Sequence, residues 1–574
     1  MRSTRLLLLL SALLLGTELL CAAGQAQSSP SDAQPIRVYS REVVVDVTVT
    51  DGTGNPVHGL KRDDFTVLED GSPISPRSFR EHSSDDQAPP SQAPPAAPLP
   101  VNTFTNSAPP EGVQPLVILL LDALDLPIAT QAILQKQVVE FVDKLAPGTR
   151  TAVFSLSATG QLAMLQGFTA DSQLLKKAVK NHKLDMQIPP LEDAGQDSAM
   201  DIPDMTADSL GKHAPPPPKA QSEKVDLSME CNHASARGAY TFAALKQIGR
   251  YVSGMPGRKN LIWFTGVFPE RMKDRQGTSC YDFREDREVV DEQLGRSHIA
   301  LYPIDPRALD ILAKDGPRSR LGRLQAVEHL NMESFAQETN GKAFYNTNDL
   351  AGAASKAIDT GANYYTIAYT PTNQNWDTRR RTISVAVDKP GLNLVYKHAY
   401  HAVAPGTTLS GQPTEKATPV QTAMMRGALE PSEILFHVSA ALAPATDSAV
   451  PPGNNPNAKW MKPPFRHVSL AYNIDLSGVQ FDPTPEGNYH GQFEYIVDVY
   501  DAGNGNLLNS SDMAVRPNLP PAVYQSMINT GAKVRQEIDV PAKGDYVLRV
   551  GVHDLTTDRV GAVEIPVSAI KPGP

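Results

Sequence analysis

The sequence predicts a multidomain chain. A central α/β domain with a doubly wound, Rossmann-like sheet is flanked by a small N-terminal β module and a C-terminal β-sandwich. Three observations predict it. First, an unbroken apolar run, Leu116 to Leu121, ends on Asp122 and is followed by Ile133/Leu134, Val138, Phe141/Val142 and Leu145 at helical spacing. A short all-apolar run reads as a strand buried on both faces, and a helix directly after it opens a parallel sheet. Second, strand and helix patterns alternate from there to about residue 370. Third, the last 140 or so residues carry strand-like segments separated by turns, the pattern of a sandwich. At 574 residues the chain exceeds what one core holds.

Residues 1–26 read as a signal peptide. Arg2 and Arg5 start it, Leu6 to Leu15 is too short to span a bilayer, and cleavage is expected after Ala23 or Ala26. Cys21 follows Leu20 rather than a small residue, which disfavours lipidation. The mature protein is therefore expected in the periplasm or outside the cell, with no transmembrane segment. With 53 basic against 63 acidic side chains, a nucleic-acid partner is disfavoured.

In residues 36–82, Val43, Val45, Val47 and Val49 alternate with polar residues, and Phe65, Val67 and Leu68 follow after a DGTGNP turn. This is a small, immunoglobulin-like β module. Under 50 residues give it little core, so it should dock on its neighbour or borrow a strand. Its acids (Asp51, Asp63, Asp64, Glu69, Asp70) lack calcium-loop spacing and read as solvated turn residues. Residues 83–112, rich in Pro, Ala, Ser and Gln, read as a flexible linker.

The α/β domain is placed at 113–373. Strands are expected near 150–156, 260–265, 298–303, 342–345 and 363–370, and helices at 172–181, 235–253, 284–296, 322–339 and 349–360. Residues 184–226, with Asp and Met clusters and Pro215 to Pro218, read as a disordered insert. Residues 374–402 read as a hairpin extension, 403–430 as a second linker and 431–570 as the β-sandwich domain. Export permits a disulfide. Cys231 is expected at the start of the 235–253 helix and Cys280 in the loop after the 260–265 strand, which share one sheet edge. The alternative is two unpaired thiols.

Several phrases carry a family resemblance: the strand ending in Asp122-Ala123-Leu124-Asp125-Leu126, GLKRDDFTVLEDG at 59–71, PGRKNLIWFTGVFP at 256–269 and NYYTIAYTP at 363–371. Most of residues 36–402 resembles the von Willebrand factor type A family, specifically the secreted von Willebrand A-related proteins of acidobacteria. The resemblance implies a metal-ion-dependent adhesion site. The family supplies its ligands from an Asp-x-Ser-x-Ser loop, a Thr on a neighbouring loop and an Asp after a later strand. Asp122 matches the first Asp, Leu124 and Leu126 stand where the Ser residues would be, Thr169 matches the Thr, and Thr265 stands at the last Asp. Asp125 and Asp171 are the acids available to substitute. A degenerate site is expected, with no resident cofactor. The alternatives are magnesium or calcium on an altered ligand set (Asp122, Asp125, Thr169), or an Asp122 that is solvated or caps the next helix.

No Gly-x-Ser-x-Gly elbow, phosphate loop, His-Glu-x-x-His or Cys-x-x-Cys is present. His233 beside Cys231 reads as neighbour to a pairing cysteine rather than as a catalytic base. The expected function is non-enzymatic binding, adhesion or assembly, with a protein or cell-surface polymer as partner. The alternatives are a metal-dependent adhesion module with altered ligands and an exported hydrolase or its accessory subunit.

Overall fold

The computed structural model describes residues 42–83, 99–107, 116–124, 126, 128–183, 219–266, 268, 271–273, 279–307, 320–403, 417–447 and 451–571. The expected signal peptide, with Ala23 and Ala26, and most of the expected insert lie outside these residues. The insert's last part does not: the backbone is helical from Lys219, in one helix reaching Val252. The stretch 219–226 therefore belongs to a helix rather than to a disordered segment.

A central sheet of five strands runs in the order Ile299–Ile304, Lys259–Phe264, Leu116–Asp122, Thr151–Leu156 and Leu162–Thr169. The first four are parallel and the last is antiparallel at the edge. Leu116–Asp122 is buried at every position, as a strand covered on both faces must be. On one face Leu120, Leu261, Trp263 and Leu301 pack on Leu245 and Ile248, Val290 and Leu294, and Phe335 from three helices. On the other, Val117, Leu119, Val153 and Ile262 pack on Leu134, Val138, Phe141, Val179 and Ala354. The expected strand at 342–345 shrinks to a single parallel bridge, Ile304 to Phe344. Gly341 lets the chain pass there, because a Cβ on it would lie 1.8 Å from the Leu301 carbonyl oxygen.

The expected last strand of this sheet is elsewhere. Tyr364–Tyr369 pairs antiparallel with Val43–Thr50 and with Ser78–His82. Arg380–Val387 pairs antiparallel with Phe65–Glu69. The N-terminal strands thus complete a sandwich with segments more than 280 residues away in sequence, and Val45, Val47, Phe65, Tyr365, Ile367, Tyr369, Ile383 and Val385 share its core. The strand is borrowed, as a module with so little core of its own requires.

The C-terminal sandwich packs Val438, Val468, Leu470 and Ile538 of one sheet on Val497, Val499, Leu548 and Val550 of the other. It also takes an edge strand from the expected N-terminal linker: Thr103–Thr105 pairs with Phe436–Thr446. Asn106 locks that strand, donating to the carbonyls of Pro431 (2.9 Å) and Ile434 (2.8 Å) and accepting from the Phe436 amide (3.0 Å). The second expected linker also contains structure. A short helix, Pro419–Met424, packs on the sandwich, and buried Arg549 donates to the carbonyls of Ala423 (2.7 Å) and Leu429 (2.6 Å).

Candidate functional site

Asp122 sits at the C-terminal end of the central strand, where open α/β sheets bind ligands. It is only 1% exposed. The Leu124 amide donates to its Oδ1 at 2.9 Å. The indole Nε1–H of Trp263, on the neighbouring strand, donates to Oδ2 at 3.0 Å. The Thr265 side chain adds a further hydrogen bond. Burial pushes the Asp122 carboxyl up to about 6, and the donors from Leu124, Thr265 and Trp263, with the charge of Arg237, limit that rise.

The loop after Asp122 turns inward. Leu124 and Leu126 are buried, one in each layer of the core. The Leu126 carbonyl accepts from Gln131 Nε2 at 2.8 Å. Asp125 lies outside the described residues. Thr169 is at the wrong end of the sheet. Leu156 pairs with Asp122, but Thr169 pairs with Thr151 at the other end of the same strand. Five residues of extended chain separate the two, roughly 16 Å. Thr169 instead accepts from the Asp171 amide, and Asp171 caps the Ser172–Asn181 helix. The site therefore does not bring Asp122 and Thr169 together.

A hard divalent cation needs several converging oxygens. Here both Asp122 oxygens already accept hydrogen bonds, the two leucines at the Ser positions are packed into the core layers and offer no side-chain oxygen, and the matching Thr is far away. The described residues do not fit such an ion. No group of three or more His, Cys, Asp or Glu side chains that could hold a metal occurs among them.

The same sheet edge holds a second acid. Asp305 follows the Ile299–Ile304 strand and is 0% exposed. Its Oδ1 accepts from the Arg307 amide (2.8 Å), and its Oδ2 from an Arg307 terminal nitrogen (3.0 Å). His329 Nε2 lies 2.9 Å from Oδ2, and Arg307 also reaches Glu328 at 2.8 Å. The His329 ring stacks on Tyr345 with centroids 4.2 Å apart. Burial alone would raise the Asp305 carboxyl. The hydrogen bond to His329 and the charge of Arg307 outweigh it and hold the group below the usual carboxylate range. The rule that singles out Asp122, an acid ending a buried parallel strand, applies equally to the IDPR stretch at 304–307.

Cys231 falls inside the Lys219–Val252 helix and Cys280 inside the Ser279–Asp282 strand. Neither is at the expected helix start or loop, and both side chains lie outside the described residues. No helix among the described residues is long and apolar enough to cross a membrane.

No protein-family model matches the chain, and no curated protein sequence matches it. Solved structures similar to it include a von Willebrand factor type A protein from Catenulispora acidiphila: 11% identity, TM-score 0.24, covering 64% of this chain and 74% of that one. The pilus adhesin SpaC from Lactobacillus rhamnosus GG matches at 8% identity and TM-score 0.26, over 90% of this chain and 70% of that one. An aerotolerance-related membrane protein from Bacteroides fragilis matches at 13% identity and TM-score 0.23, over 43% and 99%. Likeness at this level assigns neither fold nor function.

Proposed function

We propose that this chain is an exported, non-enzymatic binding or adhesion protein. Its von Willebrand A-like region carries a degenerate metal-ion-dependent adhesion site and contacts a protein or surface polymer without a metal bridge. The observation that carries the reading is the closure of Asp122: Trp263, Leu124 and Thr265 hydrogen-bond its carboxylate, and Leu124 and Leu126 occupy the positions that would supply oxygens. The two sandwiches supply further contact surface. The family assignment, the secreted acidobacterial group included, and the Cys231–Cys280 disulfide belong to the same proposal.

The test is retention of the chain on isolated cell-envelope protein and polysaccharide, with EDTA, magnesium or calcium, beside Asp122→Ala. Retention that persists in EDTA is expected. Retention that needs a metal and is lost in Asp122→Ala would transfer the reading to a metal-dependent module. Turnover of peptide or glycan without retention would favour the hydrolase.

A further inference from the structure

In the C-terminal sandwich, the Tyr546–Asp554 and Val560–Pro566 strands are joined by a turn with a charged root. Val550 and Val552 point into the core, so His553 points out, opposite Glu494 on one neighbouring strand and Val560 on the other. Its Nδ1 lies 2.8 Å from Glu494 Oε1, and its Nε2 lies 2.8 Å from Asp558 Oδ1 in the turn. A carboxylate accepts and cannot donate, so each contact needs an N–H from the ring. Only the doubly protonated imidazolium carries both.

The other groups around the ring do not compete for it. Asp554 points to the opposite face and accepts from the Gln480 amide (2.8 Å) and the Thr557 hydroxyl (2.7 Å). Arg559 reaches the Gly478 carbonyl (3.5 Å), and Glu433 accepts from the Val560 amide (3.2 Å). The Pro419–Met424 helix packs on the same two strands and brings no charge.

The turn stands beside a junction. Asp558 holds a left-handed backbone (φ 58°), a conformation unfavourable for most residues with a side chain. Just past it, Val560 bonds to Glu433, and Gly561 bridges to Ser432. Ser432 in turn accepts from the Gly254 amide (2.9 Å) and donates to the Tyr251 carbonyl (2.6 Å), which belong to the α/β domain.

We propose that His553 is a pH-operated latch: as the imidazolium it ties the turn at 555–559 to the Phe493–Asp501 strand, and on giving one proton to solvent it releases Asp558 and loosens the turn beside the Ser432–Glu433 junction. The neutral ring keeps one N–H. Asp558 is the partner released, because its side chain is 50% exposed and water replaces the lost donor, whereas Glu494 is 20% exposed. Burial alone would lower the His553 group. The hydrogen bonds and charges of Asp558 and Glu494 outweigh it and hold the group above the ordinary imidazole value. The latch is therefore fully closed below that ordinary value and opens as pH rises through the raised one.

The test uses the full chain in two measurements: NMR titration of ¹³C-labelled histidine rings, and hydrogen–deuterium exchange of peptides covering 554–561, corrected for the intrinsic pH dependence of exchange. His553, assigned by the signal lost in His553→Gln, is expected to titrate above the ordinary imidazole range. Asp558→Asn and Glu494→Gln should each lower its midpoint. Protection of the turn should fall across the midpoint by roughly tenfold for each pH unit by which His553 is raised. In Asp558→Asn it should be low on both sides, with Leu116–Asp122 unchanged throughout. If His553→Gln does not fold, Asp558→Asn, at a half-exposed position, moves one histidine signal and carries both the assignment and the test. A His553 midpoint at or below the ordinary value, or turn protection equal on both sides of it, would overturn the proposal and leave the cluster as a fixed ion pair.

Discussion

Asp122 and Asp305 end two parallel strands of one sheet, separated by a single strand, and both are shut off from water. Their carboxyls are nevertheless displaced in opposite directions. Asp122 is raised to about 6 by burial, because its partners are mostly neutral donors. Asp305 is held low, because a guanidinium and an imidazole face it. The same fold position gives two different groups, and the charge of the partners decides which. Asp122 is fixed as a structural acceptor, and Asp305 is one half of a buried ion cluster.

The largest effect expected from breaking this contrast comes from Arg307→Met. It removes the guanidinium from buried Asp305 and partly buried Glu328, leaving His329 beside Asp305, and should cost about 3–5 kcal/mol in urea unfolding at neutral pH. A loss below about 1 kcal/mol would show that Asp305 does not depend on Arg307.

Next in size is the pH dependence. Asp122 is raised on folding, so its contribution is favourable below the unfolded carboxylate value and is lost as pH rises through about 6. A shift from 3.8 to about 6 corresponds to roughly 3 kcal/mol. Asp122→Asn should therefore gain on the wild type by about 2–3 kcal/mol between pH 4 and pH 7.5. Asp305 has the opposite sign: its contribution is present above the unfolded value and fades as pH falls through its lowered folded value. Asp305→Asn should lose most at neutral pH and recover in acid. Urea unfolding across pH measures both, and parallel curves for the two variants would remove the contrast.

The smallest effect is Trp263→Phe. It keeps most of the buried ring but deletes the indole donor to Asp122, at a cost of roughly 2 kcal/mol near neutral pH. That cost should shrink below pH 5 as Asp122 becomes protonated. A pH-independent loss would assign it to packing instead.

Much of this was readable in the chain. The apolar run 116–121 and the helix-period residues after it placed Asp122 at a sheet edge, and the helices at 172–181 and 284–296 were found at their observed ends. What was missed depended on long-range pairing. The run at 363–370 follows a helix and so resembled another parallel strand. Its Tyr365, Ile367 and Tyr369 alternate with Tyr364 and Thr366, however, and that period of two suits an antiparallel sandwich strand. Thr103–Thr105 is three residues within a Pro-rich stretch, and only Asn106 and its partners over 320 residues later make it a strand. Thr169 matched a motif locally, but strand register put it at the other edge. Asp305 was within reach of the rule applied to Asp122, whereas its partner His329, and Glu328 that pairs with Arg307, come from a later helix that no local pattern connects to it.

Protein donors saturate the Asp122 carboxylate. The most direct test is manganese binding, followed by electron paramagnetic resonance at neutral pH, with the full chain and Asp122→Ala. No tight manganese site and identical titrations for the two proteins are expected. One tightly held manganese per chain, displaced by magnesium and lost in Asp122→Ala, would contradict it.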